Sequence, residues 1–383
     1  MTTQYEVEEE IAPGLKYTEE TGRIVRSLPV RDCFLWRENV DEPISGLNIL
    51  YFRQRFGAVS VSAAGIGGVA TLPPFRRQGH MSQLMTRALA GIRQQVAVVF
   101  LADAIETAYE TFGFVNCLAE AHLSVPVHYV EQITADNAHD FSSKIRDFTQ
   151  DDLPAMSHLY NQAHAYRPWT HERGAGWNRL HVKESWRRGS EAVVLEDNEG
   201  LAGYAIFKEQ TFGVPASALV VDELTARDMN AAQALLVEMA SRCWQMRLSH
   251  FDLYEPLDSA VGKVAASAGC GYHQEFLPSG GMMGAILDRQ RLLAELEPEL
   301  RRRLGNENLY AAHEAAFVAL DSGELLPDNR VLLRLLLGFW SLPDALTMGT
   351  VIPDHFKPVC QTWFPGGGSH LLPLPHAHKL DRY

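Results

Sequence analysis

The stretch of the chain whose residue types could do chemistry is Leu72-Pro73-Pro74-Phe75-Arg76-Arg77-Gln78-Gly79-His80-Met81. Proline cannot continue a central ladder, so a strand arriving from Ile66 must stop at Pro73. Beyond it Met81, Leu84, Met85, Ala88, Leu89 and Ile92 recur at helical spacing. A helix therefore opens near Gly79, with unpaired N–H groups and the positive end of its dipole at that point. Such an end binds anions, phosphate above all. Gly79 has no Cβ to hold a phosphate away. Arg76 and Arg77 bring planar donor forks, and Gln78 adds a backbone N–H. A surface turn with two solvated arginines would carry the same residues, and the loop alone leaves both readings open.

The elements around the loop give it context. Leu47–Phe52, Ala58–Ala63 and Ile66–Leu72 read as strands, the last with Gly67 and Gly68 at its start. The helix runs to about Gln95. Val96–Ala102 is an unbroken apolar run, the pattern of a strand buried on both faces. A short helix over Glu106–Thr111 and a strand over Phe114–Pro126 follow. The order of strand, helix, strand, short helix and strand predicts an open mixed α/β sheet.

Much of this order recurs after the polar stretch Asn137–Asp147. Leu153–Ala165 reads as a helix, and Ala192–Glu196 with Gly200–Lys208 as a hairpin turning at Asp197–Gly200. A strand at Ala218–Leu224, a helix at Met229–Gln245, a strand at Phe251–Tyr254 and a helix at Ala260–Ala268 complete the copy. Its strand–helix junction, Thr225-Ala226-Arg227-Asp228, has no glycine, and Asp228 is an ordinary acidic cap. A third region holds a charged helix at Arg289–Leu304 and the apolar run Val331–Trp340. Arg301, Arg302 and Arg303 read as a solvated helix face. Domain boundaries are expected at 1–135, 145–285 and 286–383.

With 34 Lys+Arg against 47 Asp+Glu the chain carries a formal charge of -13, which excludes a diffuse positive field for nucleic acid. The same acidity suits a cationic or amine-bearing substrate, or solubility alone. Five widely spaced cysteines without a CxxC argue against a disulfide scaffold and for a reducing cytoplasm. The polar N-terminus has no secretory pattern, and Val331–Trp340 is too short for a membrane span. His370, His376 and His378 have no carboxylate or cysteine cluster beside them, so no metal is expected.

On Arg76, Gly79 and Met81 at a strand–helix junction, the sequence resembles the GNAT acetyltransferases. Their coenzyme A loop reads Arg/Gln-x-x-Gly-x-Gly/Ala, and Met81 departs from its last position. A bulkier residue there, and a tandem layout, are similar to the enhanced intracellular survival (Eis) family. That resemblance implies two GNAT-like mixed sheets, the second degenerate, and a C-terminal α+β domain resembling sterol carrier protein. It implies acetyl-CoA as co-substrate, bound along Val69, Ala70, Thr71, Arg76, Arg77, Gln78, Gly79, His80 and Met81. The backbone of Val69–Thr71 would pair with the pantetheine arm, and an amide near Thr71 or Leu72 would polarise the thioester carbonyl.

In that family the tyrosine three residues before Phe-Gly-Phe is the general acid, here Tyr109. A phenol can protonate the departing sulfur. The terminal carboxylate, here of Tyr383, is the expected base, reaching the first domain's site from the tail. Asp103 and Glu106 are candidates to hold a cationic amine. Cys117 lies beyond the short helix, so transfer is expected to be direct, without an acetyl-enzyme. The acceptor would be an aminoglycoside, a polyamine, a lysine or another amine-bearing small molecule or peptide, seated between the first two units. A homo-oligomer, with a hexamer as one arrangement, follows from the same resemblance. A non-enzymatic acyl-CoA or lipid-binding scaffold would keep the loop and lack the acid–base pair.

Overall fold

The computed structural model describes residues 7–25, 28–102, 106–128, 130, 145–174, 190–210, 218–275, 281–305, 309–369 and 372–376. The chain begins with five strands, β1 (Val7–Ala12), β2 (Leu15–Val25), β3 (Leu28–Arg37), β4 (Ser45–Arg55) and β5 (Ser60–Thr71). Helix α1 (His80–Ile92), strand β6 (Val98–Leu101), the single turn α2 (Glu106–Tyr109) and strand β7 (Val115–Leu118) follow. Next come β8 (Glu120–Pro126), β9 (Ile145–Asp147), α3 (Leu153–Ala163), β10 (Glu191–Asp197), β11 (Gly200–Gln210), β12 (Ala218–Ala226), α4 (Met229–Gln245), β13 (His250–Leu253), α5 (Ala260–Ser267) and β14 (Gly271–Glu275). The chain continues as β15 (Met282–Ile286) and helices α6 (Arg289–Leu304), α7 (Tyr310–Ser322), α8 (Asn329–Leu336), α9 (Leu342–Thr347) and α10 (Lys357–Trp363).

Two compact units result. The described parts of 1–118 and 277–366 make the first, and those of 119–276 and 367–382 the second. The first sheet has the order β1-β2-β3-β4-β5-β6-β15-β7, the second β14-β8-β13-β12-β11-β10-β9. Read from β7 and from β14, both run through the same sequence of roles. In each, one strand pair is parallel, β5 with β6 and β12 with β13, and the rest are antiparallel. The internal copy seen in the sequence is thus a copy of topology.

Sequence reasoning differs from the structure at several points. β1 to β3 lie ahead of the strands read from the sequence. The two strands expected at 58–63 and 66–72 are the single strand β5. The strand expected over 114–126 is β7 in one sheet and β8 in the other. The strand beside β7 in the first sheet is instead β15, which pairs with β6 from Met283↔Leu101 to Ile286↔Val98. Each sheet therefore completes itself with a strand distant in sequence, a pairing that no local pattern encodes.

In the first unit, α1 lays Leu84, Met85, Ala88, Leu89 and Ile92 on the sheet over Cys33, Leu35, Leu47, Ile49, Ala64 and Ile66. This is the apolar stripe read from the sequence. Helices α6 to α10 also belong to the first unit. Among the described residues 287–366 there is no strand, and helices α6 to α10 fill that stretch. From α6, Glu295 accepts from the Ser62 N–H at 2.7 Å and Oγ at 2.6 Å, and Glu299 accepts from the Ala58 N–H at 3.0 Å. Arg303 donates to Glu299 at 2.7 Å and to the Trp363 carbonyl at 2.7 Å. Glu299 and Arg303 are each 1% exposed, so the arginine run is only partly a solvated face. Arg301 keeps that character, exposed and paired with Glu297 and Glu314. Gly57 has φ +85°, and a Cβ there would stand 2.1 Å from Glu299 Oε1, so both backbone and space require glycine.

In the second unit β12 is buried along its whole length. Leu235, Leu236 and Met239 of α4 and Val261 and Val264 of α5 belong to one core cluster of this unit. Leu153, Met156 and Leu159 of α3 form another with Val194, Tyr204 and Ile206.

Candidate active site

The site is built where the parallel pair β5 and β6 comes apart. Their register runs from Ala63↔Val98 to Ile66↔Leu101 and ends there, while β5 continues to Thr71. One extra residue is inserted in β5 opposite β4, between the pairs Gly46↔Ala70 and Asn48↔Gly67. Gly68 takes φ +60° in this bulge, a conformation that L side chains rarely adopt. The segment Gly67–Thr71 thus keeps β4 on one side and has lost β6 on the other. Val69, Ala70 and Thr71 all lie on it. Ligands in open α/β sheets bind outside the carboxyl ends of strands that part in this way.

At Thr71 the chain turns. The Leu72 N–H donates to the Ile44 carbonyl at 2.9 Å, which removes it from the amides that could polarise a thioester. Pro73–Phe75 form a single 3-10 turn with no buried residue. Arg76 Nε donates to the Thr71 carbonyl at 3.0 Å, and Gln78 Nε2 to the Pro74 carbonyl at 3.0 Å, so the loop is braced by its own side chains. Arg77 has φ 61°. A left-handed non-glycine residue costs about 1–2 kcal/mol, and such strain collects at ligand clamps. Gly79 is the N-cap of α1 at φ 82°, ψ 1°, and no side chain caps the helix. The first helical bond is Gln83 N–H to the Gly79 carbonyl at 3.0 Å. The N–H groups of His80, Met81 and Ser82 therefore lack partners within the helix. Arg76, Arg77, Gln78 and Gly79 are exposed.

His80 and Met81 turn inward. Met81 packs against the first unit's core, which explains a bulky residue where a small one is usual. The ring of His80 lies 6.4 Å from that of Phe75, and both its nitrogens are withdrawn from solvent with no hydrogen-bond partner. Burial first, and the Arg37 charge second, lower its pKa. The ring is therefore neutral at neutral pH. Arg37, at the end of β3, stacks 5.7 Å from the Phe75 ring centroid and brings a third guanidinium close to the loop. Sequence reasoning missed it because only β-pairing carries it there.

Tyr109 closes α2, the first element after β6. Its ring meets Phe114 edge-on at 6.0 Å and packs on the core. Burial raises its pKa, so the phenol holds its proton at neutral pH. Glu106 opens the same turn. Asp103 and Tyr383 lie outside the described residues. Cys117 is wholly buried on β7, and burial pushes its thiol above the ordinary range, which disfavours a nucleophilic thiolate.

The second unit gives the contrast. At the matching junction, Asp228 caps α4 by accepting from the Ala231 N–H at 2.9 Å. Arg227 is bound by Asp197 and Glu199. Past its own irregularity at Asp222, β12 carries Glu223, which is buried and accepts from Arg173 at 2.7 Å and from the Tyr204 hydroxyl at 2.6 Å. The helix end left uncapped in the first unit is capped in the second, and the strand past its irregularity carries a buried, paired carboxylate.

Among the described residues no group of three or more His, Cys, Asp or Glu could hold a metal, and no helix is long and apolar enough to cross a membrane.

Residues 9–116 match the model of the acetyltransferase (GNAT) domain. No curated protein matches the chain. Among solved structures it resembles a probable N-acyltransferase from Enterococcus faecalis V583, at 18% identity and TM-score 0.53, covering 70% of this chain and 64% of that one. It also resembles GCN5-related N-acetyltransferases from Kribbella flavida, at 19% and 0.55, covering 69% and 62%, and from Anabaena variabilis ATCC 29413, at 18% and 0.55, covering 68% and 64%. The aligned region thus spans under two thirds of each of these structures.

Proposed function

We propose that the chain is an acetyl-CoA-dependent N-acetyltransferase that acylates a primary amine by direct transfer at the first unit. The observation that carries this reading is the uncapped α1 N-terminus, fronted by Arg76, Arg77 and Gly79, at the end of a strand that has lost its parallel partner. Acetyl-CoA supplies the activated acyl group. The N–H groups of His80, Met81 and Ser82 and the guanidinium groups hold its diphosphate. The free edge of Gly67–Thr71 offers backbone groups to the pantetheine arm as a strand would. An N–H at the bulge, rather than that of Leu72, faces the carbonyl on which negative charge develops. Tyr109, kept protonated by burial, gives its proton to the sulfur.

The carboxylate of Tyr383 as base, Asp103 and Glu106 as amine contacts, membership of the Eis-like branch and a homo-oligomer rest on the sequence resemblance. A cytoplasmic setting rests on the cysteine pattern.

Calorimetric titration with acetyl-CoA, without an amine, tests the reading. Saturable binding at one site per chain is expected, weakened severalfold or more by Arg77→Ala. Absence of saturable binding at high ligand concentration would overturn it and leave a scaffold role.

A further inference from the structure

On the sheet face away from α1, a trough of about 430 Å³ crosses β3, β4 and β5 and ends at Arg76. The strand register builds it in two rows. Asp32 stands opposite Asn48, and Asn48 opposite Gly67; Phe34 stands opposite Gly46, and Gly46 opposite Ala70. Cross-strand partners share a face, and the alternate residues Cys33, Leu35, Leu47 and Ile49 lie in the core under α1. The floor is glycine and alanine. A Cβ on Gly46 would stand 3.1 Å from the Phe34 ring, and one on Gly68 2.6 Å from Asn48 Nδ2, so both side chains lie directly over the glycines. The β5 part of the floor is the bulged segment whose other edge is free of β6.

The chemistry of the lining selects an occupant. Among the described residues Asp32 is its one carboxylate, 14% exposed, with Oδ2 accepting from Arg23 Nε at 2.6 Å and Oδ1 from Arg23 Nη2. Arg76 is its one cation among the described residues, and Phe34, Ile44 and Leu72 are among its apolar surfaces. A polycation would find a single carboxylate, already shared with Arg23, and a positive residue at the far end. One ammonium or amine on a slender apolar body fits both rows. The polar row of Asp32 and Asn48 leads to the bulge, and the Phe34 row takes the body.

We infer that this trough seats the acceptor, a primary monoamine on an aryl or alkyl body, with its nitrogen held by Asp32 and the Asn48 carboxamide and its body on Phe34. The inference rests on the acetyl-transfer reading. In that reaction the amine lone pair forms the new C–N bond, the C–S bond breaks, and its electron pair stays on sulfur. The amine loses one proton and the thiolate gains one, leaving an amide and free coenzyme A.

The test uses 2-phenylethylamine and spermidine with the full chain. Calorimetry without acetyl-CoA should show 2-phenylethylamine binding more tightly than spermidine. Asp32→Asn and Phe34→Ala should each weaken it about tenfold, the worth of one charged or aromatic contact. Both variants should keep the wild-type acetyl-CoA affinity, and thermal melts should show them folded. Should one fail to fold, the other carries the test. No binding of 2-phenylethylamine, indifference to both variants, or preference for spermidine would overturn the trough as acceptor site, whatever acetyl-CoA does. The expected amine results with no acetyl-CoA binding would overturn transfer alone and leave an amine-binding trough.

Discussion

Cutting the chain after residue 135, the boundary that sequence patterning suggests for the first domain, should abolish its fold. The fragment keeps β6 and β7 but loses β15, which lies between them. Met282, Met283 and Ala285 are at most 6% exposed in the intact chain. Burying a methionine is worth about 1.5–3 kcal/mol, so the two supply about 3–6 kcal/mol. β15 also pairs at four positions with β6 and three with β7. Backbone groups left buried without partners cost about 1–3 kcal/mol each. The total reaches the roughly 5–15 kcal/mol by which a whole domain is stable. Near-UV circular dichroism and thermal melting of fragment 1–135 should show no cooperative transition. Leu118 and Met282 are register partners, so a short glycine-containing turn from Leu118 to Met282, continuing to residue 366, should restore one. Cooperative melting of fragment 1–135 within a few degrees of the full chain would refute the reasoning.

Tyr109→Phe should lower kcat about a hundredfold, the usual worth of a general acid, with acetyl-CoA affinity retained. Because the acid works protonated and burial raises its pKa, the alkaline fall in wild-type kcat should lie above about 10 and be missing from the variant. Glu299→Gln should destabilise the protein by about 3–5 kcal/mol in denaturant melts, because Arg303 is then buried without its partner charge. Burial opposes ionisation of Glu299, but the Arg302 and Arg303 hydrogen bonds and charge outweigh it, and its folded pKa lies below the ordinary value. Its contribution is therefore present above about pH 4.3, the unfolded value, and lost as pH falls through the folded pKa. The variant should lose that part of the acid dependence.

The loop was legible because its signals are local. Two prolines stop a strand, a glycine opens a helix, and an apolar stripe with a period of 3.6 follows, so Arg76 to Met81 could be placed without tertiary information. The second unit's hairpin turn at Asp197–Gly200 and its helix Met229–Gln245 were legible for the same reason. Tyr109 could be placed after β6 by its short helix, whereas the cause of its retained proton, the core beneath it, could not.

Local residue patterns suffice for the elements with strong periodicity and for the chemistry offered at one junction. The tertiary fold selects which strands complete which sheet, since β8 and β15 pair with partners remote in sequence. It alone turned Arg303 inward onto Glu299, brought Arg37 beside the loop, and set Asp32 and Phe34 over a floor of glycines. Hydrogen-bonded register and buried charge pairs depend on which residues meet, and residues far apart along the chain meet only when the whole fold forms.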